Sequence, residues 1–304
     1  MLKQLAARKS VAVIAREIET GPRLKRVLSA RTLTSIGLGS MIGSGIFVLT
    51  GTVAANHTGP AVTLAFLVAA VGCGLAAICY AELASLIPVS GSAYSYTYAT
   101  LGEGVAWFVG WNLALEYMMS AATVAVGWSG YVVNLLEELG LHLPAALTNA
   151  PVAKAANHTL VATGAIVNLP AVLIVALLAW VCYRGIRESA SMNNIMVVIK
   201  VAIIVLFIVA GLAFVDTANW RPYLPANNGE FGHFGFSGVM MGAAIIYFAY
   251  IGFDTAATTA QEARDPQRDV PAGILGALVI STVLYVAMAA VMTGMVSYEK
   301  LDVA

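Results

Sequence analysis

Three ionisable residues stand inside apolar runs: Glu116 within Val105–Leu136, Lys200 within Ile195–Val215 and Asp254 within Phe236–Thr259. In hydrocarbon each costs about 2.5 to 3.5 kcal/mol even on the lenient insertion scale, so each is expected to serve a proton, a charged ligand or one another. Lys200 is flanked by Val197-Val198-Ile199 and by Val201-Ala202-Ile203-Ile204. Unless it snorkels to a helix end, its ammonium is poised to give up and regain a proton. Glu116 lies about 16 Å along a helix from the start of its run, near the midplane of a bilayer. It shares one helical face with Asn112, Ser120 and Thr123, at i, i+4, i+8 and i+11. Two acids against one lysine leave a negative charge that a cationic side chain or a proton would neutralise.

Two glycine clusters interrupt the same apolar background. Gly37, Gly39, Gly43 and Gly45 place four glycines in nine positions, and each weakens a helix interior by about 0.5–1 kcal/mol relative to Ala. Gly39 to Gly43 also fits the GxxxG pattern of close helix packing, so this cluster alone leaves both roles open. The second cluster, Phe248-Ala249-Tyr250-Ile251-Gly252-Phe253-Asp254, sets a glycine close to an acid in the sixth apolar segment and favours a break. Glycine-interrupted helices at matching positions of two halves are the sequence mark of a secondary transporter built from inverted repeats. After the first break, the N–H groups of Ser44, Gly45 and Ile46 would face a carboxylate with a positive helix end behind them. Before the breaks, the carbonyls of Met41 and Ile42, and of Phe248, Ala249 and Ile251, would face an ammonium. A carboxylate at one pole and an ammonium at the other describe an α-amino acid.

These groups need a membrane scaffold, and the composition supplies one. Of 304 residues, 60% are apolar and 11% charged, with a mean hydropathy of +0.83. Soluble domains carry about 25% charged residues, so a soluble fold is excluded. Sixteen Lys plus Arg balance sixteen Asp plus Glu, which leaves no basic field for nucleic acid. Seven apolar segments approach the roughly 20 residues that a spanning helix needs: Thr32–Gly51, Pro60–Pro88, Val105–Leu136, Leu169–Tyr183, Ile195–Val215, Phe236–Thr259 and Pro271–Ser297. The expected architecture is an all-α polytopic membrane protein. With the N-terminus inside, twelve Lys and Arg flank the cytoplasmic ends, and only Lys154, Arg221 and Lys300 lie on the other side. The Ala-rich composition suits a bacterial plasma membrane. Residues 1–31 form a basic arm, either an amphipathic helix from Leu5 to Ile18 on anionic headgroups or a tail that sets topology. The loop Pro88 to Tyr98 lacks Lys and Arg and is expected to lie at the interface or partly re-enter.

Little else in the sequence carries chemistry. Cys73, Cys79 and Cys182 fall in apolar runs, and His57, His142, His158 and His233 fall in expected external loops without ligand spacing. No catalytic, metal or cofactor motif occurs. Two sequons, at Asn56 and Asn157, are a pattern common by chance.

Several linked motifs in order resemble a family: Gly39 to Gly51, Tyr80-Ala81-Glu82-Leu83, Pro88 to Tyr94, Gly110 to Tyr117, Phe248 to Asp254 and Asp265 to Pro271. Over about residues 23 to 304 they are similar to the amino acid, polyamine and organocation transporters, most of all the cationic amino acid transporter branch and its bacterial relatives. The resemblance implies a five-plus-five inverted-repeat core with the substrate between broken helices one and six. Residues 32–215 would be the first repeat, 216–235 an external loop and 236–304 the start of the second. The family's core has ten helices, so the chain is expected to be incomplete at its C-terminus, its remaining half a missing partner. The resemblance assigns the substrate carboxylate to Ser44 and Gly45, the amino group to the carbonyls of Met41, Phe248, Ala249 and Ile251, and the role of aromatic lid to Phe248. It also implies that Lys200, against the Gly39 carbonyl, replaces a coupling ion and carries the proton. Expected partners are therefore an amino acid, protons and lipid. A seven-helix receptor or retinal protein is the alternative class, opposed by the charge bias and by two broken helices; a non-transporting fragment or subunit is another.

Overall fold

The computed structural model describes residues 7–10, 13, 26–43, 45–154, 160–184 and 186–301. Most of the N-terminal arm, including the expected helix from Leu5 to Ile18, lies outside the described residues. In lipid every backbone N–H and C=O must be satisfied within the chain, so the apolar runs become helices. In chain order these are α1 (Ala30–Met41), α2 (Thr50–Val53), α3 (Val62–Leu86), α4 (Ser92–Thr100) and α5 (Glu103–Glu138). A short hairpin follows, β1 (Val152–Lys154) and β2 (Leu160–Ala162), paired antiparallel. Then come α6 (Leu169–Arg184), α7 (Ile186–Gly211), α8 (Gly235–Ile246), α9 (Thr255–Thr258) and α10 (Pro266–Met295). Five helical stretches among the described residues are long and apolar enough to cross a membrane, and Leu169–Tyr183 is a shorter apolar helix. The protein is an all-α, multi-pass membrane protein.

Several boundaries differ from those read in the sequence. The first span does not stop at Gly51: π-helical turns at Gly45–Leu49 and Ala54–Thr58 flank α2 and carry the helix to Thr58. Polar Asn56 and His57 are tolerated in that extension because both side chains bond to main chain, Asn56 Nδ2 to Thr52 O at 3.1 Å and His57 Nδ1 to Gly232 O at 2.8 Å. Gly59, at φ 61°, then turns the chain into α3. The fifth segment starts well before Ile195, because polar residues after Ile186 extend α7 beyond the apolar run. The 16 residues of α6 make about 24 Å, short of a roughly 30 Å hydrocarbon core. The loop after α3, expected to lie at the interface or to re-enter, contains a helix of its own, α4.

The chain forms two compact units, Met1–Trp111 with Asn193–Ala304, and Asn112–Met192. In the first, α10 packs along α1 and α3 around a core that includes Leu33, Ile42, Phe66, Tyr250 and Tyr285. Small residues let the α1 and α10 backbones approach. A Cβ on Gly37 would come within 2.7 Å of Ala277 Cβ, and one on Gly273 within 2.6 Å of Leu33 Cβ. At the end of this unit that holds the start of α1, the N–H groups of Val27 and Leu28 donate to Glu262 O, and Arg264 N donates to Leu28 O, all at 2.9 Å. There the Asp269 carboxylate accepts from Ala30 N at 3.2 Å and from Asp265 N at 3.0 Å, so one acid serves the N-termini of α1 and α10. At the opposite end, Phe234 N donates to His57 O at 2.8 Å.

In the second unit, Asn168 joins α6 to α5. Its amide donates to Ser129 Oγ at 2.8 Å, and its carbonyl oxygen accepts from Ala171 N at 3.1 Å, capping the start of α6. Large apolar side chains of this unit, among them Tyr131, Leu135, Leu173 and Trp180, are exposed. That surface suits acyl chains.

Candidate functional site: two helix breaks facing each other

The first break begins where α1 ends at Met41. Ile42 turns to ψ 100°, out of helical geometry, and the helix resumes at Gly45. Ser44, expected at the carboxylate pole, lies outside the described residues. Gly45 and Ile46 are buried at the start of the resumed helix, where main-chain N–H groups precede the first full turn. Thr50 steadies that turn, donating its hydroxyl to Ile46 O at 2.7 Å.

The second break follows α8. A 3₁₀ turn, Tyr247–Tyr250, leads to Ile251 at ψ 134° and Gly252 at φ 107°, and only then does α9 begin. A side chain at Gly252 would need a backbone conformation that L-residues avoid.

The breaks meet. A Cβ on Gly45 would fall onto the backbone and side chain of Ala249, and one on Gly252 would come within 2.6 Å of Ser40 Cβ. Each glycine thus admits the main chain of the other broken helix. Tyr285 of α10 joins them further: its hydroxyl lies 2.8 Å from Met41 O and 3.2 Å from Ala249 O. Its ring is fully buried, 5.5 Å from Phe66 and 5.4 Å from Tyr250 between centroids. Of the carbonyls expected to meet an ammonium, those of Met41 and Ala249 therefore share the Tyr285 proton, and Phe248 O accepts from Ile251 N at 3.3 Å. A carbonyl has a second lone pair, so all three retain acceptor capacity. Phe248 and Ile251 are half-buried.

Lys200 reaches the first broken helix from α7, its Nζ donating to Gly39 O at 3.1 Å. Gly39 is the residue that permits this approach, since a Cβ there would meet Asn193 Oδ1 and Val197 Cγ2, each at 2.8 Å. Asn193, Val197, Lys200 and Ile204 follow one face of α7, and Val197 and Ile204 on it are buried. Ser35 Oγ donates to Asn194 Oδ1 at 3.4 Å along the same contact.

Asp254, 6% exposed, lies just after the second break and accepts from Ser92 Oγ at 3.0 Å. Ser92 opens α4 at φ 48°, an uncommon backbone state for serine, so the loop after α3 is shaped to present that hydroxyl. Around it Tyr80 packs edge-on against Phe253 at 5.4 Å and Tyr96 at 6.1 Å. The Tyr96 hydroxyl is buried without a hydrogen-bond partner. Glu116, half-buried, belongs to the second compact unit.

Sequence reasoning did not single out Tyr285 or Ser92. Tyr285 did leave a signal: a phenol in the middle of an apolar span needs an acceptor, and the carbonyls freed at a break are the natural ones.

Known proteins resemble this chain in sequence. The family model for amino acid permeases matches residues 28–303. A methylthioribose transporter of Bacillus subtilis is 48% identical over 92% of this chain and 57% of its own length. The branched-chain amino acid permease BcaP of the same bacterium is 47% identical over 91% and 56%. A vacuolar cationic amino acid transporter of Arabidopsis thaliana is 40% identical over 99% and 48%. The chain spans about half the length of these relatives. A chain so matched, with two broken helices meeting at their glycines, belongs to the amino acid permease family.

Proposed function

We propose that the protein is a proton-coupled secondary transporter, a symporter or exchanger, that carries an α-amino acid between the two helix breaks. The observation that carries this reading is the approach of Gly45 to Ala249, which brings the start of one half-helix beside the end of another. Helix starts attract carboxylate and free carbonyls attract ammonium, so an amino acid lying across the breaks satisfies both. Ser44, Gly45 and Ile46 take the carboxylate; Met41, Phe248, Ala249 and Ile251 take the amino group; Phe248 covers it. The contact from Lys200 to Gly39 O supports a coupling role, since losing its proton weakens a bond that positions the first break. The N-terminus is cytoplasmic, in keeping with the distribution of Lys and Arg, and the membrane is a bacterial plasma membrane.

For the side chain of the substrate, Asp254 beside the second break favours a cation such as lysine, arginine or ornithine, and the excess of intramembrane acids in the sequence, Glu116 and Asp254 against Lys200, points the same way. A second reading, a neutral branched-chain substrate, is favoured by the Ser92 hydroxyl, which already engages Asp254. It is in keeping too with the 47% identity to a permease named for branched-chain amino acids. Uptake of labelled lysine and leucine into proteoliposomes under an imposed inward proton gradient tests both. Gradient-driven accumulation of lysine, competed by arginine, supports the cationic reading; accumulation of leucine alone supports the neutral one. Accumulation of neither removes amino acid transport.

A further inference from the structure

Tyr285 has one hydroxyl proton and two acceptors, and the acceptors belong to different broken helices. The rest of its side of α10 follows α1 turn by turn: Gly273 lies against Leu33, Ala277 against Gly37, and Ser281 Oγ lies 3.8 Å from Met41 Sδ. This seam sets α10 relative to α1. At its end the phenol reaches past Met41 O to Ala249 O, on the chain after α8. Phe66 and Tyr250 hold the ring, and Tyr250 is held in turn by its own hydroxyl on Phe66 O at 3.2 Å. The phenol oxygen is therefore held within hydrogen-bond reach of both carbonyls at once.

We infer that Tyr285 is a positioning residue for amine recognition: its shared proton makes the carbonyls of Met41 and Ala249 converge, so that their remaining lone pairs meet two N–H groups of one substrate ammonium. Two carbonyl dipoles aimed at one point repel each other, and the phenol proton between them offsets that repulsion. Without it the carbonyls splay, and an ammonium satisfies one well rather than two. The inference deepens the amino acid reading and rests on it. It differs from that reading in making a side chain of α10, rather than the breaks alone, responsible for selecting an amine.

The test is the discrimination between an amino acid and its 2-hydroxy analogue, which keeps the carboxylate and side chain and replaces the ammonium by one hydroxyl. Inhibition constants for L-leucine and L-2-hydroxyisocaproate, and for L-lysine and its 2-hydroxy analogue, are measured against uptake in the wild type and in Tyr285→Phe. Phenylalanine keeps the ring on Phe66 and Tyr250. The variant is expected to bind the amino acid about tenfold less tightly, the size of one lost hydrogen bond to a charged group, and the hydroxy acid almost unchanged. Equal weakening of both ligands, or of neither, overturns the inference. Thr293→Val, two turns further along α10 where the hydroxyl bonds to Ala289 O and Ala290 O of its own helix, should leave the discrimination intact; a loss there equal to that of Tyr285→Phe also overturns it.

Should Tyr285→Phe fail to assemble, the wild type alone decides. An N-methyl amino acid keeps two N–H donors and an N,N-dimethyl amino acid keeps one, so affinity should fall mainly at the second methylation. An even fall at each step overturns the inference. A wild type that binds neither amino acid refutes the transport reading itself, a result distinct from any of these.

Discussion

Replacing Gly45 by Ala adds one methyl group where two main chains touch. The new Cβ would fall onto Ala249 Cα and Cβ, and a backbone atom cannot rotate aside as a flexible side chain can. Overpacking of this kind costs about 1–3 kcal/mol. Helix propensity acts in the other direction, because alanine is worth about 0.8–1.0 kcal/mol over glycine inside a helix. Gly72 in α3 separates the two effects, since a Cβ there meets nothing within 4 Å. Gly72→Ala should be neutral or slightly stabilising, and Gly45→Ala should lie about 2 kcal/mol below it. For a chain of this size that difference corresponds to a melting midpoint lower by about 4 °C. Purified variants in one detergent, followed by thermal unfolding, read the difference, and uptake by the same preparations shows whether the site opens. Amino acid uptake should fall at least tenfold in Gly45→Ala and stay at the wild-type level in Gly72→Ala. Equal melting midpoints together with equal uptake would refute the backbone contact between the breaks.

Other parts of the structure make separate predictions. Lys200→Gln removes the charge that reaches Gly39 O, so uptake should persist by exchange but lose its dependence on an imposed proton gradient; retention of that dependence removes Lys200 from coupling. Asp269→Ala deprives Ala30 N and Asp265 N of their acceptor and should cost about 1–2 kcal/mol, seen as a lower melting midpoint, whereas Asp269→Asn should recover part of it. Asn168→Ala uncaps α6 and frees Ser129, with a loss of about 1 kcal/mol and little change in substrate affinity, measured by thermal unfolding and by uptake competition.

The sequence made the breaks visible because glycine and a buried acid are abnormal inside an apolar run. Which glycine does what was not visible there. Gly37 is a packing contact on Ala277, Gly39 makes room for α7, and Gly45 and Gly252 admit the opposite broken helix. All look alike in sequence, since the role of a missing side chain is set by what comes up against it from more than a hundred residues away. The extension of the first span to Thr58 was hidden for a related reason. Asn56 and His57 read as loop residues until Thr52 O and Gly232 O accept their hydrogen bonds. Lys200 and Asp254 stood out as charges; the Gly39 carbonyl facing Lys200 was legible through the family resemblance alone, and the Ser92 hydroxyl facing Asp254 leaves no local pattern.

The central claim is that one α-amino acid lies across both breaks, and magnetic resonance distances test it most directly. With ¹⁵N-labelled substrate and ¹³C-carbonyl label at alanine and methionine, dipolar recoupling in membranes should report the ammonium nitrogen about 4 Å from the carbonyl carbons of Ala249 and Met41, the separation expected for an N–H···O=C bond. Loss of the contacts assigned to these two residues in Ala249→Val and Met41→Leu preparations would identify them. A bound substrate whose nitrogen shows no coupling to either carbonyl would contradict the account, whatever the transport rate.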